Sequence, residues 1–544
     1  MFPDSKTEEW ESIRIPTVFI VNLTSYSFLD ASLDVLQRQN NIAVVLDNSS
    51  PSPGDLIYTE KIRTRINGEM LLSTDGALGG NPDAILKNIP MKDLVNISET
   101  VLKNKSLDKK NRTAFNMNEF GVSRPEVNSS SLTREQKIMG LMKIWVNVNN
   151  FYAYPENITM DWKNMLQDWI PEVEKTGNLE DYYSVLMEAT VKLNDNHIRF
   201  RSPSLPISQW FWSTETPPKT IPAWFAKVQD KVIVMQVDSA ALPQWQLNIG
   251  DELLAIDGKT ISEIEAYWRK RISAAQESGF LRNVWEYAFA IRGTKDSIVT
   301  ILVQGKYGKK EIQLKKTENT QRIISIHPFG RKLVEKLPGN IGYIQLYRTS
   351  SAEFDSALHY LKDTKGLIFD LRVSASESGG AGRTDFVNHL IKEPFKFRGP
   401  KKTYHFSDGG PVRARGDVFW NYFPDPGENI IRYFKPIVVI INSRQQSSGE
   451  GAMQVLQTAK RVSFVGSSTV GTNGGNNSIR LPDGGRFSFT MQQRLTPDGL
   501  PFHGIGIVPD VKIKPTIQGI RARKDEVLEK AIEVLNKKIK MEKN

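Results

Sequence analysis

Apolar positions along the chain follow two periods. Ile437-Val438-Val439-Ile440-Ile441 is an unbroken apolar run, too short for a helix and rich in β-branched residues, and it predicts a buried strand. Nine mostly polar residues follow, from Asn442 to Glu450. Ala452, Met453, Val455, Leu456 and Ala459 then recur at helical spacing. The pattern predicts a strand that turns sharply into a helix, with Ser447 at the turn. Upstream, Asn340–Leu346 and Gly366–Arg372 read as strands and Ala352–Leu361 as a helix between them. Strand, helix and strand in that order imply parallel pairing through a right-handed crossover.

Residues 131–200 are helical in period. Ser131-Leu132-Thr133-Arg134-Glu135-Gln136 offers a capped start, and Ile138, Leu141, Met142, Ile144 and Trp145 follow at helical spacing. Further helices are expected around Trp162–Ile170 and Leu179–Leu193. Residues 201–221 read as a loop rich in Pro, Ser, Thr and Trp. Residues 222–318 return to short strands, Lys231–Val237 and Ile298–Val303, with a Gly-Asp turn at Gly250-Asp251. Asp525–Lys540 is amphipathic and highly charged, and predicts a packing helix with a solvated face within residues 517–544. The fold class expected is multi-domain α/β.

Residues 15–46 repeat part of this pattern. At a constant offset of 420 they align without gaps on 435–466, and nine of the thirty-two positions are identical. Ser27 falls opposite Ser447 and Asp30 opposite Glu450. The match continues loosely: Asn67-Gly68 with Asp483-Gly484, and Pro82-Asp83 with Pro509-Asp510. Residues 1–95 therefore read as a degenerate, structural copy of the later segment, joined by a polar linker at 96–130.

Composition narrows the chemistry. The chain has 544 residues, no cysteine and six histidines, at a formal net charge of +10. Without cysteine there is no disulfide, no thiol catalysis and no Cys-ligated zinc. The histidines show no HxxxH or HExxH spacing, so no metal or other cofactor is expected. The positive charge is spread along the chain with no nucleic-acid motif beside it, so nucleic acid is not an expected partner. No run of eighteen apolar residues marks a transmembrane segment, and no signal peptide is visible at Met1. At the Ser447 turn two readings stay open: a serine that caps the helix, or an exposed nucleophile facing free N–H groups of the first helical turn.

The motifs around that turn resemble the S41 peptidases, which include the tail-specific proteases and the tricorn core. Ser447-Ser448-Gly449-Glu450 resembles the nucleophile segment. Phe464–Gly471, the Leu481-Pro482-Asp483-Gly484 hairpin, and Thr496-Pro497-Asp498-Gly499 with Gly504–Val511 resemble three further family motifs, in family order. The resemblance implies an S41-type α/β core at 322–516, preceded by the helical segment 131–200, with a PDZ-like domain at 222–318 inserted between them. It implies Ser447 as nucleophile and His197, in Asp195-Asn196-His197, as general base. The oxyanion donors would be the N–H of Ser448 and one from Gly379 or Gly380. The tail-specific branch places a lysine twenty-five residues after the serine, where this chain has Thr472. The carboxylate of tricorn-like members would fall at His503, which leaves Glu450 or Asp195 as possible orienting acids. The implied partner is a peptide or unfolded protein, cut in a periplasmic or other extracytoplasmic compartment. The alternative is a catalytically weak or inactive S41-like peptide-binding scaffold.

Overall fold

The computed structural model describes residues 132–202, 220–238, 247–287, 291, 297–316, 327–372, 384–399, 419–424 and 431–542, together with short strands elsewhere. The chain divides into two compact units, Met1–Asn128 and Ser129–Asn544. In the first, β1 (Thr17–Val21) pairs in parallel with β2 (Ala43–Asp47). A hairpin follows, β3 (Arg63–Ile66) with β4 (Glu69–Leu72). β5 (Ala84–Ile85) then adds to β2, again in parallel. Ser27 and Asp30 lie outside the described residues.

The second unit opens with three helices: α1 (Arg134–Phe151), α2 (Met165–Glu174) and α3 (Leu179–Thr190). Thr133 and Gln136 form a reciprocal capping box on α1, which fixes where the helix starts. Leu141, Ile144 and Val148 then fall on its buried face. Asn178 caps α3 by accepting from Asp181 N–H at 2.9 Å. A 3₁₀ turn carries the chain from α3 to β6 (Arg199–Arg201).

Next comes an antiparallel sheet, β7 (Ala223–Val228), β8 (Lys231–Val237), β9 (Glu252–Ile256), β10 (Ile298–Gly305) and β11 (Gly308–Lys315), in the order β11-β10-β9-β8-β7. Helix α4 (Ile261–Arg269) follows β9 behind its own Thr260–Glu263 capping box. Leu253, Val299, Ile301 and Val303 bury the same sheet face into one core with α1–α3.

The main sheet runs β12 (Val334–Leu337), β13 (Ile341–Ile344), β14 (Leu367–Asp370), β15 (Ile437–Ile441), β16 (Val462–Gly466) and β19 (Val511–Lys512). Only the β12–β13 pair is antiparallel. Helix α5 (Ser351–Leu361) links β13 to β14, and α6 (Ser448–Thr458) links β15 to β16, as crossovers. Both faces are covered, which explains the unbroken apolar strands. Leu367, Phe369, Ile437, Val439 and Ile441 face α5 and α6. Ile368, Val438 and Ile440 face α7 (Glu526–Met541) through Val527, Leu528, Ala531 and Leu535. The C-terminal helix is thus half of the core's second layer, and only its other face is solvated. A hairpin, β17 (Asn476–Arg480) and β18 (Arg486–Thr490), leaves the sheet after β16 and pairs with β6, which brings the end of the helical segment to the core.

Candidate active site

The site is assembled where β15 gives way to α6. Ser447 is the N-cap, with φ 57° and ψ −121°, a strained conformation for a residue with a Cβ. Three contacts fix it. Its N–H donates to Thr472 O at 2.8 Å and to Glu450 Oε2 at 3.3 Å, and its carbonyl accepts from Gly451 N–H at 2.9 Å. Ser447 and Glu450 have the reciprocal arrangement of a capping box, closed on one side by the bond from Ser447 N–H to Glu450 Oε2. Ser448 begins the helix and is exposed, and among the described residues its N–H meets no acceptor.

Glu450 is fully buried and holds the turn from behind. Its carboxylate accepts from Thr469 Oγ1 at 2.5 Å, Gly471 N–H at 2.6 Å and Thr472 N–H at 3.0 Å, besides Ser447 N–H. Burial pushes this carboxyl up to about 7, against the pull of those donors. Glu450 is committed to the loop after β16, and none of these bonds goes to His197. Thr472, at the position of the tail-specific lysine, is adjacent to Ser447 and meets it through its backbone.

His197 follows the 3₁₀ turn and is 2% exposed. Its Nδ1 lies 2.8 Å from Thr490 Oγ1, at the end of β18, and 4.0 Å from Asp195 Oδ1. Asp195 accepts the N–H of His197 at 2.8 Å and that of Thr490 at 3.2 Å. Burial pulls the imidazole down to about 4; the Asp195 charge opposes this, and Arg199, His503 and Arg282 reinforce it. Of the two candidate orienting acids, Asp195 is the one beside the histidine, and it acts on the backbone.

Asn196 joins the two halves. Its carbonyl accepts from Gln446 Nε2 at 3.4 Å, and its Oδ1 accepts from Thr472 Oγ1 at 3.3 Å and Ala275 N–H at 3.0 Å. The neighbour of His197 is thereby tied to the neighbour of Ser447 and to the loop that holds Ser447. No hydrogen bond joins Ser447 Oγ to His197 in this state. Arg282, 1% exposed, donates to Ser443 O at 3.2 Å and to Gln446 Oε1 at 2.6 Å, a second brace on the Ser447 turn.

Gly379 and Gly380 lie outside the described residues. The residue that leads toward them, Leu371, accepts a hydrogen bond from Gln445 Nε2, so the two backbone segments that would flank an oxyanion are cross-linked. His503 stacks on Tyr154 with ring centroids 4.0 Å apart, and its Nε2 contacts Asn194 O at 2.9 Å. It braces the loop before His197 and makes no hydrogen bond to the imidazole. Thr490, Asn196 and Arg282 escape the sequence reading because their partners lie far away in the chain. Among the described residues no three His, Cys, Asp or Glu side chains are grouped to hold a metal ion, and no helix is long and apolar enough to cross a membrane.

The Peptidase family S41 model matches residues 340–513, which span β13 to β19. A carboxyl-terminal-processing protease of Synechocystis sp. is 28% identical over 271 residues, 48% of this chain and 53% of that protein. A carboxy-terminal-processing protease of Bartonella bacilliformis is 22% identical over 295 residues, 52% of this chain and 58% of that protein. The chain spans about half the length of the curated relatives it matches. Among solved structures, mature CPAF complexed with lactacystin superposes with a TM-score of 0.56 at 15% identity, over 76% of this chain and 98% of that one. A CPAF mutant gives 0.58 at 14% identity, over 75% and 98%. These structures share the fold of the second unit's α/β arrangement. The stretch that matches the Peptidase family S41 model carries β15, the Ser447 turn and α6, so the similarity to that family falls on the segment that builds the site.

Proposed function

We propose that the chain is a serine-type endopeptidase with Ser447 as nucleophile and His197 as general base. The observation that carries this reading is the Ser447 turn. A serine held at positive φ between a buried strand and a helix, with the next N–H lacking an acceptor among the described residues, is the arrangement an acyl-transfer nucleophile needs. Ser447 Oγ would attack the peptide carbonyl. His197 Nε2 would take the hydroxyl proton and return it to the leaving amine. The N–H of Ser448 and one from Gly379 or Gly380 would hold the oxyanion, each donor worth about 10²–10³ in rate. The hydrogen bonds of Asn196 to Gln446 and Thr472 support placing base and nucleophile in one site.

In the same reading residues 222–318 are a PDZ-like domain that takes an extended stretch of peptide or unfolded protein along a sheet edge. Residues 1–95 are a partial structural copy of the nucleophile lobe, and the enzyme works outside the cytoplasm. A second reading, a catalytically weak peptide-binding scaffold, draws on the unmade Ser447–His197 hydrogen bond and on His503 at the usual carboxylate position. Cleavage of an unfolded peptide by wild type but not by Ser447→Ala favours the enzyme. Peptide binding of equal strength by both proteins, with cleavage by neither, favours the scaffold.

A further inference from the structure

A histidine that takes a proton at Nε2 must carry its own proton on Nδ1 and must give that N–H to an acceptor. Two oxygens face Nδ1 of His197. Asp195 Oδ1, at 4.0 Å, is beyond hydrogen-bonding distance, while Thr490 Oγ1 is at 2.8 Å. The carboxylate position of related motifs is filled by His503, which turns to Asn194 O. We infer that Thr490 is the positioning residue that fixes the tautomer and ring orientation of His197, with Asp195 bracing the pair. The inference rests on the peptidase reading of Ser447 and His197.

The pair is held at both ends. Thr490 is fully buried; its N–H donates to Asp195 Oδ2 at 3.2 Å and its carbonyl accepts from Ala153 N–H at 3.0 Å. Asp195 is fully buried too. Its other oxygen takes the His197 N–H, and its own N–H donates to Ser273 Oγ at 2.9 Å. One carboxylate thus sets the spacing of the histidine and threonine backbones, and the two side chains meet as a result. It also places a negative charge 4.0 Å from Nδ1, where an imidazolium would form. A hydroxyl and a nearby carboxylate divide the two tasks that a hydrogen-bonded carboxylate performs alone in a serine triad: holding the tautomer, and stabilising the charge. A threonine hydroxyl is also a donor. If its proton pointed at Nδ1, the ring would carry hydrogen on Nε2 and could not act as base, so the two arrangements are opposite and distinguishable.

The test combines ¹⁵N NMR of histidine-labelled full-length protein, with His197 assigned by loss of its signals in His197→Gln, and kinetics of an unfolded peptide substrate. Wild type should show His197 protonated on Nδ1. Thr490→Val should populate the Nε2–H form and lower kcat by about 10²-fold, at a KM within about twofold, as expected when ground-state binding is untouched. Thr490→Ser, which restores an oxygen, should recover most of the rate and the wild-type tautomer. An Nε2–H imidazole in wild type overturns the inference without need of any variant. So does a Thr490→Val protein with unchanged tautomer and kcat. A wild type that shows the Nδ1–H ring yet cleaves nothing supports the Thr490 contact and refutes the peptidase reading.

Discussion

Two parallel sheets in this chain have the same local plan. β1 and β2 pair over five rungs, Thr17 with Ala43 through Val21 with Asp47; β15 and β16 pair over five, Ile437 with Val462 through Ile441 with Gly466. A third strand then joins in parallel by two rungs, Leu46–Ala84 and Asp47–Ile85 in one sheet, Val465–Val511 and Gly466–Lys512 in the other. An antiparallel hairpin separates the second and third strands in both. What differs is what reaches the sheet from elsewhere in the chain. β15 is also paired to β14, and its turn is braced by Asn196, Arg282 and Thr472. The first 196 residues contain no histidine at all. In the second sheet the Ser447 turn is held by partners from far away in the chain, whereas Ser27 lies outside the described residues.

The largest expected effect separates the two sheets directly. Ser447→Ala and His197→Ala should each lower peptide cleavage by up to about 10⁶, without adding in the double variant, because the residues act as one unit. Ser27→Ala should leave the rate unchanged. Steady-state kinetics of wild type and the four variants checks this, and a loss in Ser27→Ala would break the contrast.

Next in size is Glu450. Removing it strands three donors in a buried turn, those of Thr469 Oγ1, Gly471 N–H and Thr472 N–H, at about 1–3 kcal/mol for each that finds no water, while Ser447 N–H keeps Thr472 O. Glu450→Ala should therefore lose at least about 3 kcal/mol in urea unfolding, whereas Asp30→Ala, at the aligned position of the amino-terminal repeat, should be near neutral.

A third expectation concerns pH. His197 has a folded pKa of about 4, below its ordinary 6.5, because burial disfavours the charged ring. Between those values the unfolded chain binds more protons than the folded one, so the histidine contributes stability that grows as pH rises from about 4 to 6.5, by about 3 kcal/mol in total. His197→Gln should flatten that part of the stability curve. Cleavage should keep its full rate at pH 5, with the acid limb of kcat/KM near 4; a limb near 6.5 would show an ordinary, solvated imidazole. The smallest effect is expected for Ser448→Ala, within a few-fold of wild type, since its backbone N–H survives the change.

The local parts of the site were legible in the sequence. An apolar β-branched run followed by Ser447-Ser448-Gly449-Glu450 and a helical period announces the turn, because strand, turn and helix are set by near neighbours. His197 enters the proposed site through the resemblance of the motifs that surround it. Thr490 was not: in Phe487-Ser488-Phe489-Thr490 it looks like an ordinary strand residue, and its partner is 293 residues away. The role of Glu450 as a clamp on the loop after β16 was hidden for the same reason. The edge strand Val334–Leu337 also went unread, since Val-Glu-Lys-Leu carries two charges and too few apolar positions to show a period. The C-terminal helix reads as a packing helix with a solvated face, and its buried stripe is Val527, Leu528, Ala531 and Leu535.

The contrast between the two sheets is tested most directly by asking which serine reacts. The full-length protein would be treated with a fluorophosphonate, digested, and mapped by mass spectrometry. The account predicts one phosphonylated residue, Ser447, and no label in Ser447→Ala or His197→Ala. A label on Ser27, or one that persists in Ser447→Ala, would contradict it.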